Sequence, residues 1–153
     1  MTGSTGRTFR NAGVTAIVTA VLVTLAGYWQ IGSARAEGTG ATLGAGLVTV
    51  DVGIRYSQFS FSTLRVHAGT LVRFVVHNDD PIHHEFIVGD ASVHLQHERG
   101  TEAVHPPVPG EVSVSPDDVG ETFYRFDRPG RYLFACHLPG HFAYGMHGWV
   151  IVS

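Results

Sequence analysis

One stretch of the chain combines a thiol, an imidazole and a thioether at short spacing. Residues 132–146 read YLFACHLPGHFAYGM, so that Cys136, His141 and Met146 follow the pattern Cys-x4-His-x4-Met. A β-type run ends at the cysteine and a Pro-Gly turn follows, and a loop of this length can curl all three side chains around one point. Such sulfur and nitrogen donors are ligands for a transition metal. The spacing therefore predicts a metal site in this loop.

A further histidine ligand is expected from an upstream segment, where His83 and His84 stand at the start of a predicted strand. Successive side chains of a strand point to opposite faces. His84 shares a face with Phe86, in an apolar set expected to face the core, whereas His83 falls on the other face. The alternation favours His84 as the inward ligand and leaves His83 as the alternative. The same argument directs His137 away from Cys136.

The donor types indicate copper. Two imidazoles and one thiolate with a weak, distant thioether suit a type 1, or blue, copper site. Zinc accepts the same donors, but Cys and His dominate structural zinc sites and a thioether is rare there. The sequence therefore predicts one copper ion, cycling between Cu+ and Cu2+, with the ligands His84, Cys136, His141 and Met146.

Cys136-x4-His141-x4-Met146 with an upstream His84 resembles the cupredoxin family, the blue copper proteins that include plastocyanin and azurin. The resemblance covers residues 47–153. It implies a Greek-key β-sandwich with copper near one end and a one-electron carrier role. It also implies that His84, Cys136 and His141 are equatorial ligands and that Met146 is the axial one.

Two departures from the family pattern bear on these expectations. Plastocyanin and azurin have an asparagine after the first ligand histidine, where this chain has Glu85, so the tuning of the redox potential is in question. The pair Cys136-His137 also resembles the end of multicopper oxidases. Those enzymes need His-x-His pairs from other domains, and this sequence contains none.

The rest of residues 47–153 predicts an all-β sandwich that positions these ligands. Short runs rich in Val, Phe, Tyr and Thr alternate with turn residues, as in a sandwich or barrel. The predicted strands are residues 48–56, 63–66, 71–77, 85–88, 111–114, 121–126, 131–135 and 148–152.

The segment 90–109 interrupts this pattern, and a short helix over residues 92–99 fits there. Its His94, His97 and His105, with neighbouring acids, could collect a second metal more loosely; a solvated loop is the favoured alternative. The acids are Asp90, Glu98 and Glu102.

The N-terminus predicts export. Arg7 and Arg10 precede an apolar run, and Ala34-Arg35-Ala36 fits a cleavage site, so residues 1–36 are interpreted as a signal peptide. The alternative is an uncleaved membrane anchor over residues 12–31. Residues 37–46 form a Gly-rich linker. Both alternatives place the domain in the periplasm, on the cell surface or outside the cell.

The leading functional hypothesis is an electron carrier between redox partner proteins. The second is a copper-handling protein for buffering, delivery or resistance, with other copper-handling proteins as partners. A nucleophilic enzyme using Cys136 is a third, ranked low because Met146 would have no role in it, so we expect no enzymatic activity. With a net charge of -3 and no basic patch, the chain does not resemble a nucleic-acid binder.

Overall fold

A computed structural model describes Leu43, residues 46–100 and residues 106–153. The predicted signal or anchor at residues 1–36, most of the linker at 37–46, and His105 with Glu102 lie outside the described residues. Within the described part, no helix is long and apolar enough to cross a membrane.

Nine strands and one helix make up the described chain. They are β1 (Leu47–Arg55), β2 (Gln58–Phe59), β3 (Thr63–Val66), β4 (Thr70–Asn78), β5 (His84–Gly89), α1 (Ala91–Glu98), β6 (Glu111–Val114), β7 (Val119–Phe126), β8 (Gly130–Ala135) and β9 (His147–Val152). All eight predicted strands are present, and two of them have the predicted bounds. The two-residue strand β2 was missed, because so short a run has no visible alternation.

The strands form two sheets. One has the order β2-β1-β4-β7 and the other β3-β9-β8-β5-β6. Both are mixed, because β1 pairs with β4 and β3 with β9 in parallel, while the remaining pairs are antiparallel. The predicted β-sandwich is thus confirmed for the described residues, with one short helix added to an otherwise β architecture.

The core lies between the inner faces of the sheets. Strand β4 shows the expected alternation, with Val72, Phe74 and Val76 fully buried. Rings from both sheets meet there, Phe74 with Phe86 at 4.9 Å between centroids and Phe86 with Phe134 at 5.6 Å. Aromatic pairs at such distances stabilise a core beyond their buried area. This aromatic packing makes the core between the two sheets rigid.

Strand β5 is buried on both faces. Its inner face joins the core, and helix α1 packs on β5 with His94 buried beneath it. Asp90 caps this helix, because its Oδ1 accepts hydrogen bonds from the backbone N–H groups of Ser92 at 2.8 Å and Val93 at 3.3 Å. Asp90, considered above as an acid of a second metal site, is therefore a helix cap.

Candidate metal centre

The three sequence segments that carry the predicted ligands meet at one end of the five-stranded sheet. His84 is the first residue of β5, Cys136 follows the last residue of β8, and Met146 precedes β9. These strands are neighbours, because Ala135 pairs with Ile87 on one side and with His147 on the other. The sheet therefore brings the upstream histidine beside the loop that carries the other three side chains.

The possible ligand atoms of His84, Cys136 and His141 all lie within 4.8 Å of one another. Cys136 Sγ is 3.2 Å from His141 Nδ1, and the two histidine rings have their centroids 4.8 Å apart. His84 and Cys136 are fully buried. Among residues 46–100 and 106–153, no other group of His, Cys, Asp or Glu side chains has this spacing.

The orientation of His84 leaves one nitrogen without a partner. Its Nε2 lies 3.0 Å from Asp80 Oδ2, and an ionised carboxylate only accepts hydrogen bonds, so the proton belongs on Nε2. The lone pair is then on Nδ1, which is buried and has no hydrogen-bond partner. Burial lowers the pKa of His84, although Asp80 opposes this effect, so the ring favours the neutral form that a metal needs. His83, the alternative ligand, is exposed and lies outside the group.

Asp80 holds His84 in place and was read from sequence only as part of an Asp-Asp-Pro turn. Its two carboxylate oxygens accept hydrogen bonds from the backbone N–H groups of Tyr56 and Ser57, each at 2.7 Å. Burial works against ionisation of Asp80, but these N–H groups and His84 outweigh it and hold its pKa below the ordinary value. An acid four residues before the histidine was the available signal, but only tertiary contacts show its role.

Cys136 is a protonated thiol at neutral pH in the metal-free protein. Burial raises its pKa to about 11, the backbone N–H groups of Glu85 and Leu138 lower it, and the negative charge of Glu85 adds to the rise. The thiolate is the form that binds a metal. Metal binding at this position must therefore displace one proton.

The ligand loop is closed by its own backbone. The N–H of Cys136 donates to the carbonyl oxygen of Met146 at 3.1 Å, and the N–H of Met146 donates to the carbonyl oxygen of His141 at 3.0 Å. The side chain of Met146 is fully buried. The loop thus holds Met146 next to Cys136 and His141 through the main chain, whatever its sulfur contacts.

The histidines of segment 90–109 form a second cluster, with different members from those expected. His94 Nδ1 lies 2.9 Å from His137 Nε2, and His94 Nε2 lies 3.1 Å from the carbonyl oxygen of Leu133. His97 Nε2 lies 3.0 Å from Glu111 Oε2. The prediction of a solvated loop is wrong for His94 and His97. Both lie on helix α1, which packs them against the sheet. Their acidic neighbours are Glu111 and Glu85, whereas Glu98 is exposed.

The first group fits copper. It offers two imidazole nitrogens and one sulfur, with a buried thioether residue in the same loop, which are the donor types of a blue copper site. A buried lone pair with no partner is rare in folded proteins, and a cation would satisfy it. No such atom is found in the second cluster, as far as its residues are described.

Comparison with known proteins agrees with this geometry. The profile of the family described as copper-binding proteins, plastocyanin/azurin family, matches residues 47–153. The chain is 38% identical over 98 residues to the copper-resistant cuproprotein CopI of Rubrivivax gelatinosus, covering 62% of this chain and 59% of that protein. It is 27% identical over 138 residues to CopI of Pseudomonas aeruginosa, covering 69% and 76%.

A solved structure shares the fold. Auracyanin A from Chloroflexus aurantiacus, described as a blue copper protein, superposes with a TM-score of 0.57 at 23% identity over 71% of this chain and 100% of its own. The match to the first relative spans only 59% of that relative's length.

Proposed function

We propose that this chain, which belongs to the plastocyanin/azurin family of copper-binding proteins, is an electron carrier. It would carry single electrons through a type 1 copper site. The observation that supports this most directly is the convergence of His84, Cys136 and His141 within 4.8 Å around an unpartnered nitrogen. Bound copper supplies a one-electron Cu+/Cu2+ couple. We propose Met146 as the fourth, weaker ligand, because it is buried in the same closed loop.

The protein's own residues favour one-electron transfer because they fix the positions of the ligands. Asp80 fixes the ring of His84, and the loop hydrogen bonds fix Cys136 relative to Met146. His84, Cys136 and Met146 have no solvent exposure, so water has little access as a competing ligand. Ligands that cannot rearrange need little reorganisation when an electron arrives or leaves. This property suits an electron carrier.

An absorption spectrum tests the proposal. The protein loaded with Cu2+ is expected to show intense thiolate-to-copper absorption near ~600 nm, the mark of a blue copper site. Cys136→Ser serves as the control and should lose the band, while His83→Gln, at an exposed position, should keep it. A colourless wild-type complex would contradict the proposal.

Copper handling is a second candidate, supported by the names of the two relatives as copper-resistant cuproproteins. In this role the same site would bind copper to buffer or deliver it. A titration separates the two candidates. Saturation at one copper per chain with fast, reversible redox cycling favours the carrier, and additional sites or slow cycling with ready transfer to a chelator favours handling.

We propose that the protein acts outside the cytoplasm in either role, because the predicted signal or anchor of residues 1–36 would direct its export. Cell fractionation with detection of the full chain tests this placement. Recovery of the chain from the cytoplasm alone would overturn it.

A further inference from the structure

Each of the three proposed ligands in the loop is followed by a residue with a planar ring. These residues are His137, Phe142 and His147. Phe142 lies between the two imidazoles, with ring centroids 5.3 Å from His137 and 4.8 Å from His147 and with interplanar angles of 11° and 30°. Aromatic rings at such distances stabilise one another beyond the area they bury. The three residues therefore form a ring stack of their own beside the site.

Both ends of the ring stack are fixed by regular secondary structure. His147 is the first residue of β9 and is paired with β8. At the other end, helix α1 holds the ring of His137, because His137 Nε2 donates to His94 Nδ1 at 2.9 Å. The backbone N–H of His137 donates to Glu85 Oε1 at 2.6 Å. Phe142, in the middle of the loop, is thus packed between two rings whose positions are set by β9 and by helix α1.

The ring stack adds a constraint that the backbone of the loop does not supply by itself. The backbone hydrogen bonds described above join Met146 to Cys136 and to His141. The contact between the rings of His137 and Phe142 links the remaining pair of ligands, since each ring belongs to the residue directly after its ligand. This link consists of protein atoms alone, so it does not depend on a bound metal.

We propose that Phe142 is a positioning residue that keeps the metal-binding loop in the shape that brings its ligands together, before a metal arrives. This deepens the proposed function and rests on it. The ring offers no donor atom to copper, and it acts by fixing the backbone at residue 142 relative to His137 and His147. A loop that already has its bound shape loses less conformational freedom on binding, so copper is held more tightly and released more slowly.

The positioning role is tested first in the metal-free protein by amide hydrogen exchange. The N–H groups of Gly145 and Met146 donate to the carbonyl oxygens of Phe142 and His141, each at 3.0 Å, and should be protected in wild type. Phe142→Leu removes the ring but keeps an apolar side chain. It should accelerate exchange at both amides on the order of fivefold, the size expected for the loss of an aromatic pair. Phe142→Tyr keeps the ring and should exchange as wild type does.

Two controls separate positioning from a general loss of stability. Phe123→Leu makes the same change at an exposed position of β7, on the other sheet, and should leave the loop amides unchanged. The N–H of Phe74 on β4 reports on the core and should exchange at the wild-type rate in Phe142→Leu. Equal acceleration at Phe74 and in the loop would overturn the proposal. So would unprotected loop amides in metal-free wild type, a measurement that requires no variant to fold.

Copper release measures the consequence at the site itself. Transfer of copper to a chelator should be on the order of fivefold faster from Phe142→Leu than from wild type, because the same ring contacts are lost. Phe142→Tyr should restore the wild-type rate, and equal rates in wild type and Phe142→Leu would contradict the proposed effect on copper. A missing blue band with protected loop amides would instead refute the proposed function and leave the positioning role of Phe142 intact.

Discussion

Two histidine clusters lie on opposite faces of the five-stranded sheet, and they differ in what their ring nitrogens contact. On the inner face, His84 donates a hydrogen bond from Nε2 to Asp80, and its Nδ1 is buried without a partner. On the outer face, His94 donates from Nε2 to the carbonyl of Leu133, so its Nδ1 is the acceptor for His137 Nε2. The ring of His84 has a lone pair available for a metal. The lone pair of His94 already accepts a hydrogen bond from His137.

The comparison shows that residue type alone does not make a metal site. Both clusters contain at least two histidines, and each includes one buried histidine, His84 in the first and His94 in the second. What separates them is the unpartnered Nδ1 of His84 beside the thiol of Cys136 in the first, whereas both ring nitrogens of His94 have hydrogen-bond partners in the second.

The largest effect is expected from Cys136→Ser. Copper should raise the melting temperature of wild type, because a ligand that binds only the folded state stabilises it. The variant should lose most of that gain together with the blue band. Differential scanning calorimetry with and without copper measures it. The same copper-dependent shift in wild type and variant would show that copper binds elsewhere.

Substitution of one histidine from each cluster should separate binding from stability. His94→Ala leaves the carbonyl of Leu133 and Nε2 of His137 without their partner, which should cost about 1–3 kcal/mol of unfolding free energy but preserve the copper-dependent shift. His84→Ala should remove most of that shift. Urea unfolding of metal-free and copper-loaded proteins compares them. If His94→Ala abolished the copper shift, the outer cluster would have to be counted as a metal site.

The pH dependence of copper affinity should reflect the Cys136 thiol. Its pKa is about 11 in the metal-free protein, so below that value binding releases one proton from this residue. Affinity should therefore rise about tenfold per pH unit between roughly pH 6 and 8. Competition with a chelator of known pH behaviour measures it. A flat profile in wild type would argue against thiolate ligation.

The smallest effect is expected from Met146→Leu. Leucine fills nearly the same volume, so the stability of the metal-free protein should change by less than about 1.5 kcal/mol. Loss of a weak thioether donor should alter the reduction potential and the absorption spectrum but leave copper bound. Voltammetry of both proteins measures this change. An unaltered potential would remove Met146 from the proposed ligand set.

Much of the fold followed from local patterns. Strands such as β4 alternate between buried and half-buried residues, and turns at Gly69 and at Asp79-Asp80-Pro81 separate them clearly. Strand β5 was found although it is buried on both faces, because turn residues before it and β-branched residues within it compensate for the missing polar face. The pairing order was not readable from sequence, since it depends on contacts between distant segments.

The site divides in the same way. The spacing of Cys136, His141 and Met146 is local and was visible, and the alternation argument selected His84. The contacts of Asp80 and Glu85 join segments 23 to 52 residues apart, and no sequence period encodes them. The second cluster was misread for the same reason, because His137 comes to His94 from 43 residues away.

The contact between Asp80 and the turn at Tyr56 and Ser57 gives protein engineers a handle outside the ligand loop. Both turn residues have left-handed backbone conformations, with φ of 54°, and they contribute main-chain N–H groups rather than side chains to Asp80. The side chain of Tyr56 therefore takes no part in holding Asp80; its ring lies 5.1 Å from the guanidinium of Arg55, and 80% of the residue is exposed. A dye or electrode tether attached there would report on the first ligand histidine through a single carboxylate, without altering any residue of the loop that carries the thiol.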